Sequence, residues 1–264
     1  MIFQKNYHTH TFRCKHAKGD IEDYCLVAIN NNLNTLGFSD HTPFPDNRWS
    51  WVRMEINQLD EYCNKIEQAK ERFKGLEILK GLECEFVPEF LSFYKEELLE
   101  KYKIEYLVGA IHWFPHNGSW IDLSQADSSK KHLHSYTDYF IKSLESKLFS
   151  FFAHPDAFGC FYLEWDQEAI ACSKIMLQAA KNYDIPLEIN AFGLRKPIIT
   201  TPQGKRAMYP LSPFWKLAKE FDIKVIINSD AHSPNDLILK TEEAINIAEQ
   251  YNLTIVDINK EILL

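Results

Sequence analysis

The chain has 264 residues, 45% of them apolar and 25% charged, which supports a sizeable core and excludes a disordered or fibrous chain. Its 29 basic and 37 acidic residues leave a net charge of −8, so it is not a general binder of nucleic-acid backbones, which requires a basic face. No apolar run approaches the ~20 residues of a membrane span, and Met1 to Phe12 is too polar for a secretory signal.

Short β-rich runs then alternate with helical patterns. Residues 2–7 read as a first strand, and Ile21, Tyr24, Cys25, Ala28 and Ile29 recur at helical spacing behind Asp20, a predicted N-cap. A strand over 36–39, a helix over 56–73, a strand over 77–82 and a helix over 90–102 follow. Next come a strand over 106–111, a helix over 130–147, a strand over 149–153, a helix over 167–183 and a strand over 186–189. A helix over 214–221, a strand over 224–228, a helix over 237–251 and a short strand over 254–258 complete the pattern. Such alternation predicts a parallel sheet with outer helices, and seven or eight units in this length suit a closed barrel formed by one domain over 1–264. The six cysteines, Cys14, Cys25, Cys63, Cys84, Cys160 and Cys172, contain no Cys-x-x-Cys pair, and reduced thiols in the cytoplasm are expected.

The ionisable residues are informative by position. His8 and His10 follow the first strand, Asp40 and His41 the second, Glu83 the third, His112 the fourth and His154 the fifth. Glu188 and Asn190 end the sixth, and Asp230 and His232 follow the seventh. Strand C-terminal ends open on one face of a parallel barrel, so these residues are expected to meet at one mouth. His116, His132 and His134 lie away from strand ends and read as solvated or local loop residues. In His8-Thr9-His10 the two imidazoles share a strand face and suit one ion, and Asp230-Ala231-His232 repeats the spacing with a carboxylate. Imidazole with carboxylate suits zinc, iron or manganese. Glu83 lies among apolar neighbours, where a charge is costly unless coordinated, so it reads as a bridging ligand; Glu85 is the alternative.

His8-Thr9-His10, Ser39-Asp40-His41, Gly81-Leu82-Glu83, Gly109-Ala110-Ile111-His112, Ala153-His154-Pro155-Asp156 and Asn228-Ser229-Asp230-Ala231-His232 together resemble the ordered motifs of the PHP (polymerase and histidinol phosphatase) superfamily. The segment from His10 to Ala17, the Asp40-His41-Thr42-Pro43 turn, and Glu188-Ile189-Asn190 followed by Gly193-Leu194-Arg195 resemble its stand-alone histidinol-phosphate phosphatases. The resemblance implies a distorted (β/α)7 barrel with two or three divalent transition-metal ions, zinc, iron or manganese. It implies His8, His10, Glu83 and Asp230 on a first ion, Glu83, His112 and His154 on a second, and His16, His41 and His232 on a third, with Asp20 competing for the place of His16.

The implied reaction is hydrolysis of L-histidinol phosphate to L-histidinol and phosphate in histidine biosynthesis, by a metal-bridging hydroxide attacking phosphorus in line. Arg195 is the expected phosphate cation, because guanidinium grips phosphate bidentately. Asp40 is expected to orient His41, Glu188 to accept the substrate's ammonium or imidazole or else to hold a loop, and Asn190 to bind substrate. Members of this kind place a basic residue soon after the fifth-strand histidine, whereas residues 157–164 here contain none. The competing readings are a PHP phosphoesterase of another small phosphate or nucleotide, an amidohydrolase-type barrel, and a non-enzymatic metal-binding module. The expected partner is a small phosphate ester, with no general nucleic-acid binding and no membrane.

Overall fold

A computed structural model describes residues 3–258, which divide into two compact units, each made of two separate stretches of chain. The first unit holds residues 3–108 and 228–242, and the second holds residues 109–227 and 243–258. Residue 2 of the first predicted strand lies outside the described residues.

In the first unit, β1 (Lys5–Asn6), β2 (Thr35–His41), β3 (Glu77–Cys84) and β4 (Tyr106–Gly109, which ends at the unit boundary) lie side by side in that order. β1 is parallel to β2, and β2 to β3. Every residue of β2 is buried, as expected of a parallel strand covered on both faces. The register pairs Thr35 with Glu77 at one end and His41 with Glu83 at the other. Helices α1 (Ile21–Asn30) and α2 (Leu59–Arg72) flank these strands. Asp20 caps α1 in a capping box with Asp23, as its position predicts. Leu59, Tyr62, Cys63, Ile66 and Ala69 give α2 one buried stripe. The Tyr106 hydroxyl donates to the carbonyls of Tyr7 at 2.7 Å and Phe38 at 3.1 Å. Gly81 makes room for that ring, since a Cβ there would lie 2.3 Å from it.

Beyond β1 the chain continues between two neighbours of the same unit. The Thr9 carbonyl accepts from Ser39 N at 2.9 Å, and His10 N donates to Ala231 O at 2.9 Å. Asn6 and Asn228 lock this seam, with Tyr7 N donating to Asn228 Oδ1 at 2.7 Å and Ser229 N to Asn6 Oδ1 at 2.8 Å. Residues 8–10 are thereby clamped beside both 39–41 and 229–232.

The second unit begins with an antiparallel hairpin, β5 (Trp113–His116) and β6 (Ser119–Asp122), followed by α3 (Lys130–Glu145). Next come β7 (Phe151–Phe152), α4 (Gln167–Tyr183), β8 (Leu187–Asn190), a second hairpin of β9 (Ile199–Thr201) and β10 (Gly204–Arg206), and α5 (Ser212–Glu220). β11 (Lys224–Asn228, which ends at the unit boundary), α6 (Thr241–Gln250, which begins just before the next boundary) and β12 (Thr254–Ile255) complete it. The strand order is β7-β8-β11-β12, with β7 parallel to β8 and β11 to β12.

The main departures from expectation are local. The helix predicted over 90–102 is a 3-10 turn at Pro88–Phe90 followed by a π-helix at Phe93–Lys101. β7 keeps two of its five predicted residues, and the helix predicted from residue 237 starts at Thr241, after a 3-10 turn at Pro234–Asp236. Neither hairpin was expected. Among the described residues, no helix is long and apolar enough to cross a membrane.

Candidate metal centre

The first unit gathers seven of the nine expected ligands. His8 and His10 flank Thr9, are fully buried, and bring their Nε2 atoms 3.1 Å apart. Glu83 reaches both: Oε1 lies 3.3 Å from His8 Nε2, and Oε2 lies 3.5 Å from His10 Nε2. The β2–β3 register also puts Glu83 Oε2 2.9 Å from His41 Nδ1. Asp230 Oδ1 stands 3.2 Å from His10 Nε2, 3.7 Å from His8 Nε2 and 3.3 Å from His232 Nδ1. A 3-10 turn at Phe12–Cys14 ends on Lys15 in the left-handed region, and the chain then returns His16 with its Nε2 3.1 Å from that of His232. The ring centroids of His10 lie 4.4 Å from His41 and 4.2 Å from His232. The cluster grades from buried His8 and His10, through half-buried His232, to exposed His16, which gives it a solvent side.

This donor set fits a divalent transition ion. Atoms ~2.1 Å from one tetrahedral ion stand roughly 3.4 Å from each other. The separations of 3.1, 3.2, 3.3, 3.5 and 3.7 Å among His8, His10, Glu83 and Asp230 bracket that value. Imidazole and carboxylate together match zinc, iron or manganese. Asp230 holds a positive φ of 49°, a conformation worth of order 1 kcal/mol of strain, which occurs preferentially at functional sites.

The electrostatics agree. Burial alone would raise the Asp230 carboxyl, yet the imidazoles of His8, His10 and His232 hold it well below the usual carboxylate range. Burial opposes charge on His10 too, but hydrogen bonds to Asp230 and Asp40 and the charge of Glu83 push it up to about 9. The sign follows: in the metal-free chain, His10 contributes stability that is complete below its unfolded value near 6.5 and lost as pH rises through 9. A ligating imidazole must be neutral, so metal uptake by the stripped protein at pH 7 is expected to release a proton. Apparent affinity should climb between pH 7 and 9. Calorimetry in buffers of different ionisation enthalpy checks this; pH-independent uptake without proton release would contradict it.

Glu85 and Asp20, the two alternatives, have other partners. Glu85 forms a buried pair with Arg53, whose Nη1 also donates to Thr42 O at 3.2 Å, so Glu83 is the carboxylate facing the imidazoles. Asp20 caps α1 and accepts from Arg13 at 2.6 Å, while His16 faces His232. Asp40 Oδ1 lies 3.5 Å from the ring of His10 and accepts from the backbone N–H of His41 at 2.9 Å. Its Oδ2 accepts from the backbone and hydroxyl of Thr11. Cys14, not singled out from the sequence, has its sulfur among the donors of His16 and His232. Burial and the Asp40 charge push that thiol far up, so it keeps its proton and is a poor ligand.

In the second unit the rings of His112 and His154 lie 5.1 Å apart. His154 has a positive φ of 31°, and its N–H donates to Glu188 Oε2 at 3.1 Å. Asn190 donates to the same oxygen at 2.7 Å and accepts from Phe192 N at 2.8 Å. Glu188 and Asn190 therefore hold the backbone around His154. Arg195 is half-buried at the end of a 3-10 turn, with its guanidinium 5.0 Å from the Phe192 ring. His116, His132 and His134 lie outside this group, as expected, but on β5 and α3 instead of loops, bound to Ser135, Asp127 and Glu168.

Comparison with known proteins agrees with this site. Residues 6–192 match the family model described as "PHP domain". The chain is 30% identical over 252 residues to a "Probable histidinol-phosphatase" of Deinococcus radiodurans, covering 90% of each chain. It is 26% identical over 274 residues to one of Schizosaccharomyces pombe, covering 94% of this chain and 86% of that one. Among solved structures, histidinol phosphate phosphatase from Lactococcus lactis, complexed with zinc, L-histidinol and phosphate, matches with a TM-score of 0.74. That match has 17% identity and covers 96% of this chain and 95% of that one. The fold class is thus the distorted (β/α)7 barrel of the PHP type that the sequence implies. On the family match and the shared fold together, the chain belongs to the PHP domain family.

Proposed function

We propose that the protein is a metal-dependent phosphomonoesterase that hydrolyses L-histidinol phosphate to L-histidinol and phosphate. The observation that carries this reading is the buried meeting of two carboxylates, Glu83 and Asp230, with the imidazoles of His8, His10 and His41. The named activity of the relatives and the ligands of the Lactococcus lactis enzyme support the substrate.

His8, His10, Glu83 and Asp230 would hold one divalent ion, His16, His41 and His232 would serve a further one, and His112 with His154 offer a pair of imidazoles within the second unit. Zinc, iron or manganese held there would polarise a phosphoryl oxygen and acidify water. The chain's own residues arrange the rest. Glu83 spans three imidazoles and fixes their spacing. Asp40 orients His10 against it. Glu188 fixes the backbone N–H of His154. Arg195, half-buried in the second unit, offers a planar fork suited to phosphoryl oxygens. The six cysteines are all unpaired, in keeping with a cytoplasmic enzyme.

A panel of phosphate esters tests the reading. Histidinol phosphate is expected to be turned over at least ~100-fold more efficiently than an aryl phosphate, a difference of roughly 2.7 kcal/mol in transition-state binding. Chelation should abolish the activity and zinc, iron or manganese restore it. Equal efficiency on both esters would remove the histidinol assignment, and activity unaffected by chelators would remove the metal.

A further inference from the structure

The hairpin of β9 and β10 carries an arginine whose surroundings differ from those of Arg13, Arg48 and Arg53. Those three are tied to carboxylates, of Asp20 and Glu61, of Asp46 and Glu89, and of Glu85. Arg206 instead donates through Nη1 to Ala207 O at 2.8 Å and Met208 O at 3.0 Å, and through Nη2 to Gly159 O at 2.9 Å. Among the described residues no carboxylate lies within ion-pair distance of it. Asp156 acts on it only through space, its Oδ2 accepting from Leu211 N and Trp215 Nε1.

A guanidinium has five N–H donors in a planar fork. Three are spent on carbonyls, which leaves Nε–H and one Nη2–H. Both are donors that an oxygen of a carboxylate or phosphate can accept from. Arg206 lines a cavity of about 150 Å3 whose walls include Tyr162, Glu164, Trp165 and Lys205. A hydrogen bond from Trp165 N to Gln203 Oε1, at 3.3 Å, ties the hairpin turn across it. Two cations and one carboxylate line the cavity, with Asp166 behind its wall on the Tyr162 hydroxyl at 2.9 Å and the rings of Tyr162 and Trp165 among the lining. None of its lining residues belongs to the proposed metal ligands.

We propose that this cavity is a binding site for a small oxyanion, held by the unspent N–H donors of Arg206, with Lys205 supplying a second positive charge. It is an addition to the phosphatase centre and does not depend on it. A phosphate and an organic carboxylate share the required chemistry, so the two are separate arms of the test.

The full chain with its metals, labelled with 15N, is titrated with inorganic phosphate and with benzoate. The Arg206 Nε–H and Trp165 indole N–H resonances are followed, assigned by their loss in Arg206→Lys and Trp165→Phe. A saturable shift of both with either anion is expected, and the anion giving the tighter curve identifies the source. Arg206→Lys keeps the charge and loses the fork. Lys205→Glu reverses a charge without touching the three carbonyl bonds. Each is expected to weaken binding, read on Trp165, at least tenfold, while Glu164→Gln tightens it. Glu83→Gln, altered only at the metal cluster, should bind as the wild type does. Resonances that stay still with both anions overturn the proposal. So does binding that survives Lys205→Glu unchanged, or binding that vanishes in Glu83→Gln, which would place the anion at the metals.

Discussion

Glu83→Gln is expected to strip most of the bound metal and to lower kcat by at least ~10²–10³-fold, the loss typical of removing one preorganised charged group from a reacting centre. The Glu83 side chain is only 1% exposed, and nitrogens of His8, His10 and His41 lie 2.9 to 3.5 Å from its two oxygens. Glutamine keeps the volume, so the packing of β3 survives. It removes the negative charge, and it turns one acceptor into an N–H2 donor aimed at nitrogens that must themselves present lone pairs to an ion. Metal analysis and steady-state kinetics on the same preparation decide the matter. Full metal content with an unchanged rate would show that Glu83 is structural.

Arg53→Met is expected to cost about 3–5 kcal/mol of stability, because it leaves the Glu85 carboxylate buried without its guanidinium. Both side chains are 1% exposed, and Arg53 also lies over the rings of Phe44 and Trp49. The loss reaches the metal cluster through a short path. Arg53 donates to Thr42 O, while the Thr42 backbone and hydroxyl both donate to Glu83 O at 2.9 Å. Metal affinity should fall along with stability. Replacing the pair together, Arg53→Met with Glu85→Leu, should recover most of the stability, since apolar side chains of similar volume need no neutralisation. Urea denaturation of the three variants measures this. An Arg53→Met protein within 1 kcal/mol of wild type, below the ~3 kcal/mol floor for breaking a buried pair, would contradict the account.

The sequence carries the positions of the site better than its wiring. Histidines and carboxylates just past apolar runs are visible because a strand end is marked by the end of its run, and His8, His41, Glu83 and Asp230 are found on that basis alone. The sequence pairs Asp40 with its neighbour His41, whose backbone N–H it does accept from. The Thr11 turn also presents it to His10, a matter of tertiary geometry. Glu83 and Glu85 share a spacing and a strand face, and only Arg53, brought in from 32 residues away, tells them apart. The first hairpin did have a local signal: Asn117 and Gly118 both take positive φ, as a tight two-residue turn between strands requires. The apolar run over 149–153 predicts a longer β7 because apolar side chains continue past the two residues that form the strand. The π-helix at Phe93–Lys101 has a wider turn that a search at 3.6-residue period cannot separate from an α-helix.

An anomalous difference map at the metal absorption edge, from crystals of the protein grown with its own metal, addresses the central claim most directly. Peaks for two or three ions are expected, one of them ~2.0–2.2 Å from the facing nitrogens of His8 and His10 and from oxygens of Glu83 and Asp230. A map with no peak within bonding distance of these four residues would contradict the account.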